Sequence, residues 1–353
     1  MAEQSLAIKY RPKSFDDLTE QEYIKVILEN QIKTNSIKNT YLFTGPAGCG
    51  KTTSARIFAS MINEGQGNPI EIDAASNNGV EQIRVIIDEA KFKPIDSKYK
   101  VYIMDECHML SIGAWNALLK LLEEPPKTTV FILCTTDPQK IPKTILSRVQ
   151  RYDFNKISFE GLVERLKYII FQENIEIGDI ITNDVELDNK YGPINYEEDA
   201  LKFIAKIAEG GMRDAISNLD KVLSLTHQVT VDNVVKALGI SDYENLYQLL
   251  INILDGETKK SIDIIENIYN SGKDLKLFIK QFIQFVLDVE KYLIYASYDY
   301  IQIPNTIDLS IFNIGDDQKL LKLLDIVIEL SNQIKYDQNP KVLIESRILL
   351  LRW

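Results

Sequence analysis

An α/β core with a parallel sheet, followed by two helical regions, is the fold that this sequence predicts, and three observations carry the prediction. A short apolar run, Tyr41-Leu42-Phe43-Thr44, breaks at a glycine turn and gives way to a helical stretch. Two more runs of this kind, Val101 to Met104 and Val130 to Leu133, flank another helical pattern and read as buried parallel strands. Beyond Phe154 no comparable run recurs.

The elements follow in order. Arg11-Pro12 favours an extended start, and Ile24, Ile27, Leu28 and Ile32 set a helix over residues 20–34. A strand at 41–44 leads through the turn Gly45 to Gly50 into a helix from Lys51 to about Asn63. Strands at 101–104 and 130–133 enclose a helix over Trp115 to Glu123, so residues 1–155 form the α/β core. Amphipathic patterns at 159–172, 197–208, 212–225 and 231–238 make residues 156–239 helical. Within them, Glu176 to Tyr196 is polar, contains Gly192-Pro193 and lacks periodicity, so it reads as a long loop or small insertion. From 240 to 353, stretches such as 246–254, 262–269, 275–298, 318–335 and 342–350 describe a separate helical bundle.

Composition bounds the rest. At 353 residues the chain suggests two or three domains, and 45% hydrophobic with 26% charged residues is the make-up of a folded protein. No apolar run approaches the ~18 residues of a membrane span and the start lacks an apolar signal segment, so a cytoplasmic protein without a membrane partner is expected. Cys49, Cys107 and Cys134 are scattered and odd in number, which indicates neither a disulfide framework nor a zinc site. A net charge of -11 argues against coating nucleic acid by bulk charge, while leaving room for a local basic surface.

Gly45-Pro46-Ala47-Gly48-Cys49-Gly50-Lys51-Thr52, followed by Thr53, fits the P-loop pattern in its strand-to-helix context. The glycines let backbone N–H groups approach phosphate oxygens, Lys51 reaches the β and γ phosphates, and Thr52 binds Mg²⁺. An ordinary glycine turn would not require a lysine followed by a hydroxyl. Asp105-Glu106 emerges at the end of a strand, where Asp105 can hold the Mg²⁺ shell and Glu106 can deprotonate water. Alone the pair would be a helix cap; the upstream P-loop reverses that. Thr135-Thr136 ends the next strand and can sense a phosphate through a hydroxyl. His108 completes an Asp-Glu-Cys-His string resembling a helicase motif, but one P-loop with a helical remainder supplies no second nucleotide-clamping lobe, and His108 reads as structural. Arg148 and Arg213 are candidates to neutralise transition-state charge, one from a neighbouring subunit and one in cis; spacing alone does not assign them.

Together with Lys9-Tyr10-Arg11-Pro12, the strings Glu71 to Val80, Asp105 to Leu110, Asn116 to Pro126, Thr135 to Pro138, Ser147-Arg148 and Gly210 to Ala215 closely resemble the bacterial DNA polymerase III gamma/tau subunit. The resemblance is dense from Ala7 to about Gly239 and only architectural beyond. It implies an AAA+ core at 1–155, a helical lid at 156–239 with the polar insertion near 176–196, and a helical collar at 240–353 that drives oligomerisation. It also implies the ATPase of a sliding-clamp loader, using ATP and Mg²⁺ in a ring of its own copies and delta and delta-prime type subunits. The ring would open a sliding clamp and grip primer-template DNA. By this resemblance Tyr10, Arg11 and Pro12 lie beside the adenine, Thr136 is sensor 1, Arg148 is an arginine finger acting in trans, and Arg213 is sensor 2. Asn77, Arg84, Lys120 and Thr144 match DNA-facing positions.

Three departures qualify it. Where the family has a four-cysteine zinc module, residues 64–69 read Glu-Gly-Gln-Gly-Asn-Pro, so zinc is not expected. Val149 follows Ser147-Arg148 in place of the usual cysteine, leaving the finger intact. The sequence ends at Trp353, before the long extension by which tau contacts helicase and polymerase, so those contacts are not carried over. The alternatives are a non-hydrolysing structural subunit of the delta-prime kind, which intact Lys51, Thr52, Asp105 and Glu106 oppose, or another AAA+ DNA machine such as a branch-migration motor or replication initiator.

Overall fold

The computed structural model describes residues 4–181, 192–239, 243–298, 301–303, 307–335, 337 and 339–350. The elements begin α1 (Leu6–Lys9), α2 (Glu22–Lys33), β1 (Thr40–Thr44), α3 (Lys51–Ile62), β2 (Ile70–Asp73), α4 (Val80–Ala90) and β3 (Lys100–Asp105). They continue with α5 (Ile112–Glu123), β4 (Thr129–Thr135), α6 (Lys143–Leu146), β5 (Gln150–Asp153), α7 (Phe159–Ile181), β6 (Asn195–Tyr196) and α8 (Glu198–Ile207). The remainder is α9 (Met212–Leu225), β7 (Gln228–Val229), α10 (Val231–Leu238), α11 (Tyr243–Leu254), α12 (Thr258–Asn270), α13 (Leu275–Tyr295), α14 (Asp317–Ile334) and α15 (Pro340–Leu350). The chain divides into two compact units, Met1–Leu187 with Ile204–Asp220, and Asp188–Phe203 with Lys221–Trp353.

The first unit is built on a five-stranded sheet of order β2-β3-β4-β1-β5, parallel throughout. Its three inner strands read as continuous apolar runs because both faces are covered. Successive side chains alternate between those faces. Tyr41, Phe43, Val101, Ile103 and Ile132 pack with Leu28 of α2 and Phe58 of α3. Leu42, Tyr102, Met104, Phe131 and Leu133 pack on the other side with Ile83 of α4 and Leu118 of α5. Each such fully buried side chain is worth about 1.5–3 kcal/mol relative to exposure. The register pairs Thr44 with Thr135 and Asp73 with Asp105, so the carboxyl ends of neighbouring strands lie level and define one rim of the sheet.

Four strands fall outside the sequence expectation: the two-residue β6 and β7 in the region expected to be helical, and β2 and β5 in the main sheet. The latter two are edge strands; Ile70-Glu71-Ile72-Asp73 alternates apolar and polar residues, and Gln150-Arg151-Tyr152-Asp153 buries Tyr152 alone, so neither presents an apolar run. Of the stretch expected as a loop from Glu176, the first residues are helical, since α7 continues to Ile181; residues 182–191 lie outside the described residues, and its end forms β6.

Among the described residues the second unit is built of helices and the short strands β6 and β7, which pair in parallel. Its core gathers Leu249 and Leu250 of α11, Phe278, Phe282 and Phe285 of α13, and Leu323 of α14. The long α13 starts at a well-formed cap, the Asp274 carboxylate accepting from the backbone N–H groups of Lys276 at 2.7 Å and Leu277 at 3.3 Å. Such a cap contributes roughly 1 kcal/mol. Among the described residues no helix is long and apolar enough to cross a membrane.

Candidate active site

The site grows from the rim of the sheet. After β1 the chain turns at Gly45, whose φ is +149° and where a Cβ would lie 2.5 Å from the Phe154 carbonyl oxygen. At Gly48, φ is +71° and a Cβ would meet the Gly211 Cα at 3.0 Å. Only glycine accommodates both the left-handed backbone and the close approach. The approach is used: the Gly48 carbonyl accepts from the Met212 N–H at 3.0 Å, which holds the start of α9, and with it Arg213, against the loop. The loop then opens into α3, whose first N–H groups carry partial positive charge. Lys51, only 6% exposed, lies along the turn with its Nζ donating to the carbonyls of Gly45 at 2.8 Å and Pro46 at 2.7 Å.

β3 delivers the carboxylates. Thr52 Oγ1 donates to Asp105 Oδ2 at 2.9 Å, and the Glu106 N–H donates to Asp105 Oδ1 at 3.0 Å. Glu106 itself has a left-handed backbone, φ 46°, at the junction between β3 and a one-turn helix over Cys107–Met109. From the end of β4, Thr136 Oγ1 donates to Glu106 Oε2 at 2.9 Å and the Thr136 N–H approaches the same oxygen at 3.4 Å. His108, read from the sequence as structural, lies here too: its Nδ1 is 3.0 Å from Thr135 Oγ1 and 3.3 Å from Glu106 Oε2.

Lys51, Thr52, Asp105 and Glu106 border a cavity of about 500 Å³, within the range of small-molecule sites. Tyr10, Arg11 and Pro12 form part of its wall, with Ala47, Gly48, Cys49, Gly50, Lys51, Thr52 and Thr53, the two carboxylates Asp105 and Glu106, and Arg213. Gly45 and Pro46 take part through Lys51, and Thr136 through Glu106. Two further cations in the wall, Arg56 and Arg165, escaped the sequence reading, because within amphipathic helices they look like solvated surface charges. Arg165 donates to the Tyr10 carbonyl at 2.9 Å and stands 4.9 Å over the Tyr168 ring. Burial holds its guanidinium below the usual arginine range.

Five cationic side chains facing one cavity suit a polyanion. The Thr52 hydroxyl and Asp105 carboxylate, adjacent at its floor, are the oxygen donors that a hard divalent cation shares with phosphate oxygens, so Mg²⁺ fits these residues. The three cysteines are buried, and burial pushes their thiols up, which keeps them protonated and poor as metal ligands.

Arg148 is not in this wall. It follows α6, and its guanidinium meets Glu123 at the end of α5, Nη2 to Oε1 at 2.6 Å and Nε to Oε1 at 2.8 Å. Arg84 pairs with Glu81 at 2.7 Å, the Asn77 amide donates to the Asp73 carbonyl at 3.1 Å, and Lys120 and Thr144 are exposed. Arg84, Lys120 and Thr144 belong to α4, α5 and α6, which all cover the same face of the sheet. Asn77 lies in the turn leading into α4.

Comparison with known proteins adds to this geometry. Residues 68–158 match the family described as DNA polymerase III, delta subunit, residues 190–228 the ATPase lid domain of the DNA polymerase III clamp loader subunit, and residues 229–306 domain III of DNA polymerase III subunits gamma and tau. The chain is 34% identical to DNA polymerase III subunit tau of Bacillus subtilis over 99% of its own length and 63% of that protein's. It is 35% identical to DNA polymerase III subunit gamma of Buchnera aphidicola, covering 80% of this chain and 79% of that one. Among solved structures, the Holliday junction branch migration motor RuvB of Thermotoga maritima superposes with a TM-score of 0.50 at 22% identity, over 69% of this chain and 79% of that one; this is a likeness of fold.

Proposed function

The chain belongs to the DNA polymerase III gamma/tau family, with its AAA+ core, lid and helical third domain, and we propose that it is the ATP-hydrolysing motor subunit of a DNA-replication clamp loader. In this reading it opens a sliding clamp and places it on primer-template DNA, in a ring with copies of itself and delta and delta-prime type subunits, in the cytoplasm. The domains would divide as residues 1–155, 156–239 and 240–353, the last forming the collar of the ring. The single observation that carries the proposal is the convergence of Lys51, Thr52, Asp105, Glu106 and Arg213 on one cavity.

The chemistry follows from their types. Lys51 engages the β and γ phosphates of ATP, and the α3 N–H groups bind the remaining oxygens. Thr52 and Asp105 would hold Mg²⁺, which supplies charge neutralisation at the phosphates when bound. Glu106 takes the proton of the water that attacks the γ phosphorus; the bond to the β-phosphate oxygen breaks and ADP leaves. Thr136, bonded to Glu106, couples the end of β4 to that carboxylate. Arg213 serves its own subunit's nucleotide from the cavity wall, and Arg148, outside the wall, serves a neighbour's. Tyr10, Arg11 and Pro12 border the base, and Asn77, Arg84, Lys120 and Thr144 face DNA, where a few contacts on an inner surface are compatible with an acidic whole.

The test is ATP turnover by the full chain with partner subunits, with and without clamp and primed DNA. Stimulation by both is expected, with Glu106→Gln retaining ATP binding and losing turnover. A chain that hydrolysed no ATP under any of these conditions, or a Glu106→Gln variant at the native rate, would defeat the reading.

A further inference from the structure

We propose that His108 is a positioning residue for Glu106: it helps to anchor one carboxylate oxygen so that the other is presented to the cavity as the proton acceptor. The inference rests on the reading of the site as an ATPase.

Two donors and an imidazole nitrogen surround Glu106 Oε2. They are Thr136 Oγ1 at 2.9 Å, the Thr136 N–H at 3.4 Å and His108 Nδ1 at 3.3 Å. Glu106 is in the cavity wall and His108 is not, so the imidazole acts from behind the carboxylate. An ionised carboxylate only accepts, and a ring nitrogen facing one is stable when it carries the proton. With its proton on Nδ1 the ring bonds to Thr135 Oγ1, 3.0 Å away, and sets the same positive N–H edge 3.3 Å from Glu106 Oε2. Thr135 Oγ1 in turn accepts from the Asp137 N–H at 3.0 Å, which ties the imidazole to the end of β4.

The local fold fixes the ring in this place. The one-turn helix closes with the Met109 N–H on the Glu106 carbonyl at 2.9 Å and the Leu110 N–H on the Cys107 carbonyl at 3.1 Å. Cys107, wholly buried, and Leu110 pin that turn to the apolar cluster under the sheet. The His108 side chain between them is 11% exposed and has little room to rotate. A carboxylate with one oxygen bonded to Thr136 and flanked by the imidazole is pre-organised. Misplacement of a reacting group by about 1 Å can cost 10²-fold in rate, so loss of one of three anchors should cost about 10-fold.

The experiment uses the full chain with its partner subunits and measures kcat, KM and the affinity for a fluorescent ATP analogue. His108→Phe keeps the volume and removes the donor; it should lower kcat about 10-fold while KM and nucleotide affinity stay within about twofold. His108→Asn places its amide nitrogen near the Nδ1 position and should recover most of the loss. His108→Ala gives a second donor-free side chain should the phenylalanine fail to fold, with folding followed by thermal melting. In a Glu106→Gln background, His108→Phe should not lower the residual single-turnover rate further, since the effect acts through Glu106. Native kcat in both donor-free variants, or equal losses in the Asn and Phe variants at unchanged melting temperature, overturns the proposal. A matching loss of nucleotide affinity would mark His108 as structural and also overturns it. If the native chain itself hydrolysed no ATP, the failure would lie with the ATPase reading; native hydrolysis with an indifferent His108 sinks this inference alone.

Discussion

The rim of the sheet in the first unit and the heart of α13 in the second both gather carboxylates, and they treat them in opposite ways. At the rim, Asp105 and Glu106 border a cavity and accept from Thr52 and Thr136 side chains that belong to other elements. In α13, Asp288 and Glu290 are sealed at 1% and 4% exposure. Asp288 is spent on structure, accepting from the Gln302 N–H at 2.7 Å and the Gln284 amide at 2.8 Å. Burial pushes both of these acids up, Glu290 to about 7 with the Asp317 carboxylate adding to the effect. The contrast teaches that a buried acid is a matter of stability, whereas an acid on a cavity wall, held by hydroxyls at the end of a parallel strand, is a matter of chemistry.

The sharpest way to break this comparison is at Lys51. Lys51→Ala removes the charge that engages the phosphates and should abolish tight ATP binding, measured by fluorescence titration, while its melting temperature stays near native. Next in size is Arg148, since an arginine finger is worth about 10³–10⁵ in rate. Arg148→Ala should bind ATP nearly normally and lose stimulated hydrolysis, and assemblies mixing Arg148→Ala with Lys51→Ala chains should regain partial activity, because some interfaces then pair an intact loop with an intact finger. Absence of recovery, with Arg148→Ala binding ATP as poorly as Lys51→Ala, would make Arg148 a residue of its own subunit.

In the helical unit the same logic predicts stability effects. Phe282→Ala in α13 should destabilise by about 3–5 kcal/mol in denaturant unfolding, since it empties a core position that is 1% exposed. The smallest effect concerns pH. Glu290 titrates at an ordinary value of 4.5 when unfolded and at about 7 when folded, so the folded chain holds the proton longer. Its contribution to stability is complete below about 4.5 and lost as pH rises through 7. Glu290→Gln should flatten that dependence and raise the melting temperature at pH 8 by a few degrees, read by calorimetry at pH 5 and pH 8. A variant melting lower than native at pH 8 would show that the acid is not the strained partner.

Much of the site was legible because it is written locally. The P-loop lies in one unbroken string, Asp105-Glu106 directly follows an apolar run, and Gly210 to Ala215 opens a helix with strong amphipathic pattern. What escaped lacks such a signature. Arg165 reaches the Tyr10 carbonyl from 155 residues away, and Glu123 meets Arg148 across 25, so neither pairing has a local period to betray it. β2 and β5 escaped because an edge strand covered on fewer sides needs no continuous apolar run.

By itself the sequence determined that a phosphate-binding loop stands between a buried strand and a helix, that acids follow a second such strand, and that the chain beyond the core is mostly helical. Each of these is a matter of backbone geometry and hydrophobic period, which neighbouring residues settle among themselves. Only the tertiary structure decided the strand order that sets β1 between β4 and β5, the contact of Gly48 with Gly211 that lays Arg213 on the loop, and the meeting of His108 with Glu106 and Thr135. These contacts join elements distant in the chain, and they exist because burying both faces of the sheet fixes where each strand ends, whatever its neighbours in sequence prefer.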